Sequence, residues 1–262
     1  MIKIIVSDID STLVDQTYDL SPTAPKLIDF LLHDGYLVFA TTKTLDEVLL
    51  YAEKWSLPKN KVYIISEAGG LIAGVDLLKY DWNCKGYRVL ELGERLVEQD
   101  LEIARQLNCG IKGYRDMSLD ELGEIAGLKG EFARAARMRL FTESLYSTDR
   151  DCLKILAEKY RSKGYFVHIG SRFLTIGKIP GKRAGINILL TLSSKFTVTD
   201  TFTLGFGDAD MDAEMLEDTD MAFLIPSYAK VSLKRSDYIK SPNPAPEGWI
   251  FLYDRYVKNL LL

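Results

Sequence analysis

Over its first eighty residues the chain alternates short apolar runs with amphipathic stretches, each run closed by Gly, Ser, Thr or Asp. Ile2, Ile4, Ile5 and Val6 form an apolar run with little polar interruption, the pattern of a strand buried on both faces inside a parallel sheet. Ser21-Pro22 opens a helix that runs to about Asp34 and stops at Gly35. Tyr36–Ala40 is a second buried strand. Thr44 and Glu47 then make a capping box for a helix that turns Val48, Leu49 and Ala52 inward. Val62–Ser66 is a third strand, Glu67–Gly70 a turn, and Leu71–Ala73 a hairpin arm. Strands and helices in strict alternation, joined by short turns, predict a parallel α/β sheet.

From about Trp82 the pattern changes. Tyr87–Leu90 reads as a strand and Glu94–Leu107 as a helix with Leu96, Val97, Leu101, Ile103 and Ala104 in period. Two short helical patterns follow, Leu119–Ala126 and Glu131–Ala136, separated by Gly127 and Gly130. A strand begins at Arg139–Glu143, a helix at Cys152–Arg161, and another strand at Tyr165–Ile169. This is an α+β pattern with an antiparallel sheet. It predicts a unit over 83–173 inserted into a core made of 1–82 and 174–262. Lys182 opens the return with a helix carrying Ala184, Ile188, Leu189 and Leu190. Thr201–Phe206 and Met221–Ile225 are strands, Ser241–Pro246 is a stiff extended loop, and Glu247–Leu261 closes the chain as an amphipathic helix.

The 262 residues are many for one compact domain and few for two, which suits a core with an insert. With 33 Lys and Arg against 37 Asp and Glu, the net charge of −4 gives no general pull toward nucleic acid or an anionic membrane. An anionic ligand therefore needs a local basic pocket or a metal. No run reaches transmembrane length, and the chain starts on a strand, not a signal sequence, so a cytoplasmic location is expected. Cys84, Cys109 and Cys152 are odd in number, widely spaced and without a zinc pattern, which predicts reduced packing cysteines. The two histidines, His33 and His168, lie too far apart for a histidine-rich metal site. His33 ends a helix, and His168 sits in a strand that leads back toward the first motif.

The chemistry concentrates where strands end. Asp8 and Asp10 follow the first strand directly, with Ser11 and Thr12 behind them. Two carboxylates at the end of a buried strand repel one another and lose hydration; a hard divalent cation such as magnesium resolves the conflict. The site is also where open α/β sheets bind ligands. A turn or helix cap is the structural alternative.

Asp8-x-Asp10-x-Thr12 resembles the first motif of the haloacid dehalogenase superfamily. The other three motifs have counterparts in order: Thr41 after the second strand, Lys182 at the head of a helix, and Gly207-Asp208-x-x-x-Asp212 after another strand. Lys178 competes with Lys182, which is preferred because it directly precedes an apolar helix; Arg183 stands where the superfamily usually has Gly. The resemblance implies that Asp8 is a nucleophile toward phosphorus and Asp10 a general acid and base. It implies that Thr41 holds the phosphate, that Lys182 offsets charge, and that Asp8, Asp10, Asp208 and Asp212 form the Mg²⁺ site, Asp10 through its backbone carbonyl.

Further stretches narrow the resemblance to mannosyl-3-phosphoglycerate phosphatases. Thr41–Thr44 is similar to their S-S-K-T, Ser66–Gly70 to S-E-N-G-G, Met138–Ser144 to A-R-E-Y-x-E-T, and Gly170–Phe173 to G-G/S-R-F. This implies a doubly wound parallel-sheet core with a C2-type α+β cap, and Mg²⁺-dependent hydrolysis of a phosphorylated glycosylglycerate. Lys43, Arg139 and Arg172 are then cations for its anionic groups, and Glu143 and Ser171 partners for its hydroxyls. Ala68 and Leu140 depart from the family pattern by removing polar groups. That departure predicts relaxed choice between mannose and glucose. A broader sugar-phosphate phosphatase and a sugar phosphomutase are the rival activities.

Overall fold

A computed structural model describes the whole chain except Asn108, Ser171, 197–199, 228–230 and Leu262. The chain order begins β1 (Ile2–Ser7), α1 (Ala24–Leu32), β2 (Tyr36–Ala40), α2 (Leu45–Lys54), β3 (Val62–Ser66), β4 (Leu71–Gly74), β5 (Trp82–Cys84) and β6 (Tyr87–Glu91). It continues through α3 (Glu98–Arg105), β7 (Lys112–Gly113), α4 (Leu119–Ala126), α5 (Gly130–Ala136), β8 (Thr142–Tyr146), α6 (Arg150–Arg161), β9 (Phe166–Ile169) and β10 (Leu174–Gly177). The return comprises α7 (Lys182–Leu192), β11 (Thr201–Gly207), α8 (Ala213–Asp218), β12 (Met221–Leu224), β13 (Ile239–Lys240) and α9 (Glu247–Leu252).

Among the described residues, nine strands form one sheet in the order β13-β12-β11-β1-β2-β3-β4-β6-β5. It is parallel from β13 to β3 and antiparallel beyond. β1 lies in its middle, which explains the unbroken apolar run. Successive side chains point to opposite faces, so Ile5 packs with Leu27, Val48 and Trp249 on one side. Ile4 and Val6 pack with Ile186, Leu189 and Met215 on the other. The Thr44–Glu47 capping box is formed in both directions and fixes the start of α2 directly after β2.

The second sheet, β7-β8-β10-β9, is antiparallel. α3 and α6 cover it through Leu101, Leu153, Leu156 and Tyr160, while α4 and α5 close a separate small core around Met117, Leu122 and Ala133. The two connections to the large sheet run side by side, with Glu94 N donating to Lys178 O at 2.9 Å.

Three features differ from the sequence reading. β5 and β6 pair onto β4 and belong to the large sheet, and β10 belongs to the small one. The insert thus spans about 95–177 instead of 83–173. A hairpin added to the antiparallel edge and a hairpin starting a new sheet have the same local pattern, so the boundary was invisible to periodicity. The closing helix is regular only to Leu252, with a widened turn over Tyr253–Val257. Finally, Cys109 and Cys152 form a disulfide across a separation of 43 residues, where reduced cysteines were expected. Folding brings the turn before β7 against the first turn of α6, a proximity that sequence spacing does not encode; Cys84 is free.

Candidate active site

The ends of β1 and β11 deliver the acidic residues to one point. Asp8 N donates to Phe206 O (3.0 Å), locking the first carboxylate onto the neighbouring strand. Gly207 ends β11, and a Cβ there would lie 2.5 Å from Asp212 Cβ, so only glycine lets the turn fold back. Carboxylate oxygens of Asp8, Asp208 and Asp212 consequently lie within 4.8 Å of one another, all buried. Lys182 enters from the first residue of α7, with its Nζ 2.7 Å from both Asp8 Oδ1 and Asp212 Oδ1. Its helix is placed by a backbone contact: a Cβ on Gly69, which has φ +100°, would lie 2.3 Å from Gly181 O. Lys178 lies elsewhere, paired to Asp100 at 2.8 Å.

The donor set fits a hard divalent cation. Asp212 is tied down on both oxygens, since Oδ1 takes Lys182 and Oδ2 accepts from the backbone N–H groups of Asp208 and Ala209 (3.1 Å each). Asp8 and Asp208 line the cavity, whereas Asp212 does not. Three carboxylates against one ammonium leave an excess of negative charge in a buried place. Burial pushes the Asp8 carboxyl up to about 7 despite Lys182, with Asp212 and Asp10 adding to the rise. Burial, then Asp212 and Asp8, push Asp208 to about 8. Two carboxylates that cannot comfortably ionise together, ringed only by oxygen donors, are what a metal ion relieves.

Asp10 is not part of this cluster. Its carboxylate points to Lys43, with Nζ 3.0 Å from Oδ1. Lys43 is buried, and although burial pulls its ammonium down, Asp10 and Glu47 hold it well above its usual range. Asp10 thus has its carboxylate aside from the acidic cluster, and only its backbone carbonyl remains for the metal role that the sequence reading gave it.

The cavity above these groups has a volume of about 540 Å³ and takes its walls from both units: Tyr18, Thr42 and Lys43 from the core, and Tyr114, Arg139, His168 and Arg172 from the insert among others. That size falls within the usual range for small-molecule sites. Several expected residues are placed differently. Thr41 is fully buried and its hydroxyl accepts from Lys43 N (3.2 Å), so the wall here is Thr42. Glu143 lies behind the wall, where its Oε1 accepts from Tyr114 N and Ser144 N and its Oε2 sits 3.2 Å from Arg115 Nε; Ser144 and Thr175 line the cavity in its place. Burial raises the Glu143 carboxyl, against Arg139 and Arg115. Arg139 lines the cavity, but its Nη1 is engaged by Thr42 O (3.1 Å) and Thr142 Oγ1 (2.9 Å). Arg172 Nη1 donates to Ile125 O (2.9 Å). Ser171 lies outside the described residues. Ala68 and Leu140 do not line the cavity.

The sequence does not mark His168, Tyr18 and Tyr114 as site residues. His168 stands on a strand leading to the site, and burial lowers its pKa. Tyr18 and Tyr114 carry no local signal, because nothing in a single aromatic's neighbourhood says that another unit will meet it.

No protein-family model matches the chain. Over 255 residues, covering 94% of each chain, it is 26% identical to a glucosyl-3-phosphoglycerate/mannosyl-3-phosphoglycerate phosphatase of Persephonella marina. It is 28% identical over 235 residues, 87% of this chain and 92% of the relative, to a mannosyl-3-phosphoglycerate phosphatase of Pyrococcus horikoshii. Among solved structures, a haloacid dehalogenase-like hydrolase from Bacteroides thetaiotaomicron superposes with a TM-score of 0.68 at 19% identity, covering 92% of this chain and 94% of that one. The chain has the haloacid dehalogenase-like hydrolase fold, and the relatives it matches over most of its length include mannosyl-3-phosphoglycerate phosphatases.

Proposed function

We propose that the protein is a Mg²⁺-dependent phosphatase that releases phosphate from mannosyl-3-phosphoglycerate, with the glucosyl form as an accepted alternative. One observation carries the reading: Asp8, held by Lys182 beside Asp208, lies at the floor of a cavity walled by both core and insert. The names of the two relatives supply the substrate class, and the Persephonella marina protein's name supplies the glucosyl alternative.

Asp8 attacks phosphorus in line, forming an aspartyl-phosphate as the phosphorus–alkoxide bond breaks. Asp10 gives its proton to the leaving oxygen. It then takes a proton from water, whose oxygen attacks phosphorus, releasing phosphate and restoring Asp8. Asp8 and Asp208 would hold the cation, which would supply positive charge against the phosphoryl group. Lys182 supplies a fixed positive charge at the nucleophile, and Asp212 fixes Lys182. Lys43 orients Asp10. Arg172 and Lys43 face the remaining anionic groups of the substrate, and Ser144, Thr175 and His168 its hydroxyls.

The test is release of inorganic phosphate with Mg²⁺ from mannosyl-3-phosphoglycerate, glucosyl-3-phosphoglycerate and simple hexose phosphates, with Asp8→Asn as the blank. Release from a glycosyl-phosphoglycerate, absent in the blank, is the expected result. Turnover of hexose phosphates alone would overturn the substrate class, and an isomerised sugar phosphate without free phosphate would make the enzyme a mutase.

A further inference from the structure

Tyr18, in the loop between β1 and α1, packs against both the core cluster of the large sheet and the small cluster of α4 and α5. Its hydroxyl donates to Ala126 O (2.8 Å), the last residue of α4. The carbonyl one residue earlier, Ile125 O, accepts from Arg172 Nη1, so the last two carbonyls of this helix are held by two residues that line the cavity. On its other side, Lys43 Nζ lies 4.7 Å from the centre of the Tyr18 ring, within cation–π distance, and the same Nζ is 3.0 Å from Asp10. The backbone of Tyr18 has φ 57°. A bulky residue in the left-handed region is strained, and such strain persists only where the surroundings dictate it. Tyr51 Oη helps, donating to Tyr18 O at 3.3 Å.

We propose that Tyr18 is a positioning residue that latches the insert over the cavity through Ala126 O and, through its ring, sets Lys43 against Asp10. Closure and the placement of the acid–base carboxylate are then carried by one side chain. The hydroxyl governs the fraction of molecules closed, which scales apparent substrate affinity. The ring governs the chemical step. The second half rests on the role given to Asp10 above; the first does not.

The test compares Tyr18→Phe, which keeps the ring, with Tyr18→Leu, which loses it. Kinetics use whichever phosphomonoester the wild type hydrolyses, p-nitrophenyl phosphate included. Losing one hydrogen bond should raise KM for the glycosyl substrate about 5- to 10-fold in Tyr18→Phe with kcat within about two-fold. Tyr18→Leu should in addition lower kcat by about ten-fold or more. Hydrogen exchange of residues 119–136, which needs no turnover, should quicken in Tyr18→Phe. Unchanged exchange and KM in Tyr18→Phe would overturn the latch, and equal kcat in the two variants would overturn the link to Asp10. A wild type inert toward every phosphomonoester would sink the phosphatase reading, while exchange would still decide the latch.

Discussion

Glu67 sits in the turn between β3 and β4, 1% exposed, and reaches across to the insert at the start of β8. Its Oε2 accepts from Phe141 N (2.9 Å), Thr142 N (2.8 Å) and Thr142 Oγ1 (2.8 Å), and its Oε1 from Leu140 N (2.9 Å). Glu67→Ala strands three backbone amides in a place without protein substitutes. A buried donor left unpaired costs about 1–3 kcal/mol. Three of them come to about 3–9 kcal/mol, and water entering the vacated volume brings the expectation toward the lower half, about 3–5 kcal/mol. That is a large share of the roughly 5–15 kcal/mol that holds a typical domain folded. Glu67→Gln keeps one oxygen as an acceptor but aims its amide N–H groups at backbone donors, so it should lose about 1–3 kcal/mol. Urea unfolding gives both values. A loss below about 1 kcal/mol in Glu67→Ala would refute the reasoning, because it would mean that the amides find other partners at no cost.

Two further outcomes follow from the charges and the cross-link. Because burial raises the Asp8 carboxyl from 3.8 to about 7, the folded metal-free protein retains a proton that the unfolded chain has released. The contribution is favourable below the unfolded value and is lost as pH rises through about 7. In chelator, Asp8→Asn should therefore gain urea stability on the wild type between about pH 5 and about pH 8. Mg²⁺ at the higher pH should stabilise the wild type more than the variant. A pH-independent difference would contradict it. The disulfide closes a loop with a separation of 43 residues, so its reduction should cost about 2–4 kcal/mol. Thiol titration of the denatured protein should find only Cys84 before reduction, and three thiols would show that the bond is absent.

The large sheet was legible because its information is local. An unbroken apolar run, a capping box and a glycine stop each act over a few residues, and the same locality made the Asp8 and Asp208 turns readable. Their meeting was legible only by resemblance, since nothing in the spacing of residues 8, 182 and 208 puts them together. What periodicity missed lies where two distant segments decide each other's surroundings. Glu143 carries a charge and sits in a strand near the site, which suggested a ligand contact. Its environment instead is set by Arg115 and the Tyr114 amide, which arrive from β7's turn. Thr41 and Thr42 differ in sequence only by order, and the pleat at the end of β2 assigns one to the interior and the other to the wall. The same logic separates Asp10 from the other three carboxylates. Two residues two positions apart in a strand share its side, but β1 ends at Ser7, so the alternation does not carry through Asp8 to Asp10. Lys43, from the neighbouring strand's end, then captures the Asp10 carboxylate. A cluster of four acidic groups in the sequence thereby becomes, in the fold, a three-carboxylate site with a lysine beside it and one separate, lysine-paired carboxylate. This division is the one that a nucleophile and a proton donor need if they are to act on the same substrate at different atoms.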